Sequence, residues 1–170
     1  MRILGSISAP DFWIETGTLN GDTTKFLSEK FITSKVITIE PSPGIFAKAQ
    51  SRLAEYQNIE VICGTSESEF KNILDRLVEQ RTKSVAFWLD GHYSGGATYL
   101  GDIETPIRFE LELIAGFLAQ FKHLDIFIDD FRLFVQQVES YPATSFLSHW
   151  AETHGLSWNV EHDIFIINKL

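Results

Sequence analysis

Apolar residues in this chain come in short runs rich in Ile, Val, Phe and Trp, separated by longer stretches in which they recur every three or four positions. The runs FWIET (12–16), KVITIE (35–40), IEVIC (59–63), SVAFWL (84–89) and DIFIDD (125–130) have the length and composition of strands. Segments 22–33, 44–56, 67–80 and 106–121 predict helices. In 67–80, Phe70, Ile73, Leu74 and Leu77 share one face; in 106–121, Pro106 opens the first turn and Phe109, Leu113 and Phe117 form the expected stripe. Runs apolar on both faces suit the centre of a parallel sheet, and their alternation with helices is the pattern of βαβ units.

The last third changes character. A helix at 144–154 stops at Gly155, and LSWNVEHDIFIINK follows as two β-like runs with almost nothing between them. A hairpin that tight joins antiparallel strands. The expected architecture is therefore one α/β domain over residues 1–170, with a Rossmann-like, doubly wound, mostly parallel sheet of seven strands and a C-terminal antiparallel hairpin at one edge.

Composition narrows the partners. With 44% apolar and 13% aromatic residues, 170 positions suffice for a single core without metals or disulfides. A net charge of -9 argues against nucleic acid or an anionic membrane as the main partner and favours a small neutral or cationic ligand. The single Cys63 allows no internal disulfide, and its place at the end of IEVIC predicts burial. No stretch has the length of an apolar membrane span and the N-terminus does not resemble a leader, so the expectation is a soluble, cytoplasmic protein.

The chemistry gathers where strands end. ETGTLNGDTT joins the first strand to the first helix, with Gly17 and Gly21 permitting a sharp turn and Thr23 or Thr24 placed to cap the helix. Dinucleotide-binding folds place Gly-x-Gly-x-x-Gly here for a pyrophosphate; this loop lacks the third glycine and carries Glu15, whose carboxylate repels phosphate and accommodates an ammonium group. That disfavours a nicotinamide-dependent oxidoreductase. Glu40 ends the second strand, where α/β folds set an acid against ribose hydroxyls. Together the two motifs describe a ligand with a ribose, a positive charge and no pyrophosphate.

On these residues the chain resembles the class I S-adenosylmethionine-dependent methyltransferases, whose first motif is an acid-x-Gly-x-x-x-Gly loop and whose second strand ends in a ribose-binding acid. The resemblance implies that Glu15, Gly17, Thr18 and Gly21 contact the methionine part of the donor, that Glu40 holds the ribose, and that the turn Gly64, Thr65, Ser66 lies by the adenine. Many relatives have Asp or Asn where Thr65 stands.

Asp90 follows the fourth strand, and Asp129 and Asp130 end the fifth. Three carboxylates converging on one rim repel each other unless a cation joins them, and oxygen ligands suit Mg²⁺ or Ca²⁺. Adjacent residues of a strand point to opposite faces, so Asp129 and Asp130 reach one ion only if the chain leaves strand geometry there. The pattern is similar to the metal-dependent macrocin O-methyltransferase type, which implies Asp90, Asp129 and Asp130 as ligands of Mg²⁺ or another divalent cation, and Asp90 or His92 as the base. His92 and Tyr93 belong to a glycine-rich stretch, HYSGGATYLGD, suited to a lid or substrate wall. The other four histidines show no ligand spacing, and core packing accounts for the four tryptophans.

The expected function is O-methylation of a small hydroxylated acceptor, sugar-like or phenolic. The alternative is a non-catalytic module that keeps the fold and binds a nucleoside or a partner protein. Members of this fold usually carry extra N-terminal helices over the acceptor side, whereas about ten residues precede the first strand here; a homodimer is one way to cover that side.

Overall fold

The structure is a computed structural model that describes residues 3–5, 7–91, 105–136 and 141–169. After a 3-10 turn at Ile3–Gly5, the elements run β1 (Phe12–Thr16), α1 (Asp22–Lys30), β2 (Lys35–Glu40), α2 (Pro43–Leu53), β3 (Ile59–Cys63), α3 (Ser66–Glu79) and β4 (Ser84–Leu89). They continue with α4 (Ile107–Phe117), a 3-10 turn (Leu118–Gln120), β5 (His123–Ile128), α5 (Phe131–Val135), α6 (Thr144–Thr153), β6 (Ser157–Glu161) and β7 (Ile164–Lys169).

The seven strands form one sheet in the order β3-β2-β1-β4-β5-β7-β6. The first five are parallel, with Ile14 opposite Ile37 on one side and Phe87 on the other. β7 runs antiparallel to both β5 and β6, so the hairpin closes one edge as the sequence pattern requires. Side-chain alternation along each strand feeds two cores. Ile14, Ile37, Phe87, Ile126 and Ile167 pack with Phe70 and Leu74 of α3, Leu111 of α4 and Leu147 of α6. Trp13, Val36, Trp88, Phe127 and Ile166 pack on the other face with Leu27 of α1, Phe31 and Leu4. Helices on both faces define the doubly wound α/β architecture.

Four local expectations are corrected. The buried face of α4 is Ile107, Glu110, Leu111 and Ile114, while Phe109, Leu113 and Phe117 form its half-buried flank. Cys63 is exposed, at the end of β3, the outer strand of the sheet, which pairs with β2 alone. The fifth strand occupies 123–128 and stops before Asp129. Trp13, Trp88 and Trp150 are buried, but Trp158 lies 41% exposed on the edge strand β6, stacked on Phe165. Among the buried side-chain nitrogen and oxygen atoms of the described residues, only the indole nitrogens of Trp13 and Trp88 lack a hydrogen-bond partner, at a cost of about 1–3 kcal/mol each. No helix among the described residues is long and apolar enough to cross a membrane.

Candidate functional site

Parallel register brings the C-terminal ends of five strands to one rim: Thr16 lies beside Ile39 and Leu89, Glu40 beside Cys63, and Leu89 beside Ile128. Each expected site residue within the described residues falls at or just past one of these ends. His92 lies outside the described residues, with Tyr93 and the rest of that glycine-rich stretch.

The loop after β1 is held by its own backbone, with the Gly17 and Thr18 N–H groups both donating to the Ile39 carbonyl, at 3.0 and 3.2 Å. Gly17 and Gly21 adopt φ of 86° and 75°, in the left-handed region. A Cβ on Gly17 would stand 2.5 Å from the Asp90 carbonyl oxygen, and one on Gly21 would stand 2.8 Å from Leu53 of α2. Both glycines are thus required by close approach to the protein itself, as well as by the turn. Gly21 occupies the N-cap of α1, which has no side-chain cap. Thr24, expected as a cap, instead gives its hydroxyl to Glu15 Oε2.

Glu15 is 1% exposed, and the same Oε2 also accepts the Thr38 hydroxyl at 2.6 Å. Thr38 Oγ1 lies 2.6 Å from Thr18 Oγ1, so a chain of hydroxyls ties the glycine loop, β2 and α1 to one carboxyl. Burial pushes that carboxyl up to about 8; the Thr24 and Thr38 hydroxyls pull against the rise, and the charges of Asp90 and Glu40 add to it.

Glu40, 4% exposed, accepts the Leu19 N–H at Oε2 and the Ser42 N–H at Oε1, each at 2.9 Å. A carboxylate has about four lone-pair sites, so each oxygen keeps one for a further hydroxyl donor. The two backbone bonds fix the carboxylate between the glycine loop and the turn after β2. Thr65 caps α3 in a capping box with Ser68, and Ser66 begins the helix.

Sequence reasoning missed Glu110. It lies on the buried face of α4, 1% exposed, and accepts the Ser66 hydroxyl at 2.6 Å. Burial pushes it up to about 7, with the Ser66 and Thr16 hydroxyls pulling against the rise. The available signal was an acid at helical spacing with Ile107, Leu111 and Ile114, at a position that should have been apolar.

The aspartates separate into two groups. The chain does leave strand geometry after Ile128, with Asp130 at φ 53°. Asp129 Oδ1 accepts the Asp130 N–H at 2.8 Å; burial pushes this carboxyl up to about 6, and the charge of Asp90 contributes. Asp130 turns to the Arg132 guanidinium at 2.6 Å, and Arg132 also bonds Asp163 through Nη1. A cation is therefore already seated at Asp130, and it is a side chain. Among the described residues, no group of three or more His, Cys, Asp or Glu side chains is arranged to hold a metal ion. Asp90, Asp129 and Asp130 therefore do not by themselves form such a group among the described residues, with Asp130 paired to Arg132.

No protein-family model and no curated protein matches the chain by sequence. Solved structures do match it by fold. The O-methyltransferase TomG from Streptomyces achromogenes, in complex with S-adenosylmethionine, aligns over 99% of this chain and 77% of its own, with a TM-score of 0.62 at 15% identity. A S-adenosylmethionine-dependent methyltransferase from Aquifex aeolicus aligns over 98% and 86%, with a TM-score of 0.59 at 14% identity. Aeropyrum pernix fibrillarin, with natively bound S-adenosyl-L-methionine, aligns over 99% and 71%, with a TM-score of 0.58 at 14% identity. At these identities the likeness is one of fold: the chain has the Rossmann-like fold of S-adenosylmethionine-dependent methyltransferases.

Proposed function

We propose that the protein is a S-adenosylmethionine-dependent methyltransferase acting on an oxygen atom of a small, sugar-like or phenolic acceptor. The observation that carries this reading is Glu40, a buried carboxylate held at both oxygens by backbone N–H groups beside a glycine loop, with lone pairs left for two ribose hydroxyls. Residues 17–21 lie along the methionine part, and Thr65 and Ser66 border the adenine. The acidic rim of Glu40 and Asp90 suits a sulfonium cation. Oxygen as the acceptor atom is supported by the O-methyltransferase TomG among the structures of this fold.

In the reaction, the acceptor oxygen attacks the donor methyl carbon as the carbon–sulfur bond breaks. Sulfur keeps the electron pair and becomes a neutral thioether. Asp90 takes the hydroxyl proton, with His92 the other candidate base.

The test is calorimetric titration with S-adenosylhomocysteine. The wild type binds in the micromolar range, and Glu40→Ala, losing two charge-assisted hydrogen bonds worth about 1.5–3 kcal/mol each, weakens binding at least ~100-fold. If the wild type binds no S-adenosylhomocysteine, the methyltransferase reading is wrong, and a nucleoside- or partner-binding module takes its place. The reading includes a homodimer that covers the acceptor side, which a monomeric mass in solution would rule out.

A further inference from the structure

Glu110 is a costly residue for its place. It stands between Ile107, Leu111 and Ile114 on the face of α4 that packs against the sheet, and among the described residues no Lys or Arg pairs with it. Glu67 of α3 and Asp90 beyond β4, the charged groups that act on it most, are both acids. A buried carboxylate that meets only hydroxyls and like charges contributes less to stability than an apolar side chain of the same shape. Its contacts point to another use.

Oε1 takes the hydroxyl of Ser66, the first residue of α3 and part of the turn after β3. Thr16, the last residue of β1, lies near enough for its hydroxyl to favour the ionised carboxyl, and its Oγ1 accepts the Asp90 N–H at 3.3 Å. One carboxylate on α4 therefore fixes the turn after β3 directly and borders the ends of β1 and β4. These three strand ends surround the space that the donor reading gives to the adenosyl group.

We propose that Glu110 is a positioning residue for the adenine end of the donor site, acting through Ser66 without touching the ligand. The inference rests on the donor reading above. It predicts that donor affinity and fold stability respond in opposite senses to an apolar replacement, which a merely structural residue would not do.

The experiment measures S-adenosylhomocysteine affinity and thermal melting on Glu110→Met, Glu110→Gln, Ser66→Ala and the double variant Glu110→Gln/Ser66→Ala. Glu110→Met melts at or above the wild-type temperature yet binds about tenfold more weakly, and Glu110→Gln, which keeps an acceptor oxygen, returns to within about threefold of the wild type. Because Glu110 acts through Ser66, the double variant is no weaker than the weaker of its two single variants. Wild-type affinity in Glu110→Met, or additive losses in the double variant, overturns the proposal while leaving the donor site in place. Should Glu110→Met fail to fold, the comparison of Glu110→Gln, Ser66→Ala and the double variant decides alone. Absence of binding to the wild type removes the donor reading and this inference together.

Discussion

Glu15 and Glu110 are carboxyls that the fold keeps from water, and burial pushes them up to about 8 and about 7 from an ordinary value of 4.5. The native protein thus holds protons that the unfolded chain has already released at neutral pH. Stability is full below the ordinary carboxylate value and is lost as pH rises through the window from 4.5 to about 8. Thermal melts from pH 5 to pH 8.5 check this. The melting temperature of the wild type falls across the series, and Glu15→Gln, which has no proton to lose, narrows that fall by roughly 5 °C. Parallel curves for the two proteins would show that Glu15 does not titrate in this range. At this scale the sequence was partly legible. Glu15 and Glu40 stood out because each follows an apolar run, whereas Glu110 was hidden by the helical period itself, where a charged letter reads as a solvated face. Thr24 and Thr38 could be read as residues but not as partners of Glu15, since tertiary packing brings them together.

The strands were the most legible elements. A central strand is buried at almost every position, and that holds for β1, β2, β4 and β5, whose apolar runs of Ile, Val, Phe and Trp made them legible. The same rule misled at β3, where IEVIC has the composition of a central strand but lies at the edge with Cys63 exposed. α5 spans five residues, too few to display a helical period, and its presence explains why Asp129 and Asp130 are not the end of a strand. This short helix also carries a cation. Arg132 lies between Asp163 and Asp130, one of the three aspartates at which the sequence suggested a metal. Replacing Arg132 with Ala leaves two carboxylates without the guanidinium they share. Roughly 5 mM Mg²⁺ should then raise the melting temperature of Arg132→Ala by about 2 °C, with a smaller effect on the wild type. An equal response in both proteins would mean that Arg132 does not stand in for a divalent ion.

For the whole molecule, sheet order decides where stability resides. β1 and β4 lie at the centre with buried side chains on both faces, while every residue of β6 is exposed and β6 pairs only with β7. Native-state hydrogen exchange should protect the amides of Trp13, Ile14, Ala86 and Phe87 more than about a thousandfold longer than the outward amides of β6. Comparable protection of β6 would mean that the edge is covered in solution. The mixed sheet and its hairpin followed from run length and spacing. The pairing of Asp130 with Arg132 did not, because it depends on a change of backbone direction after Ile128 that no periodicity records. The opposite edge of the sheet offers a practical handle. Cys63, the one cysteine of the chain, is exposed and sits across from Glu40 in the parallel register, immediately before the turn at Gly64–Ser66. A maleimide fluorophore would attach at this single thiol without any engineered substitution, one strand away from the ribose-binding carboxylate proposed above. Its emission would follow occupancy of the rim in real time, giving a stopped-flow signal for nucleoside entry and exit before an acceptor is known.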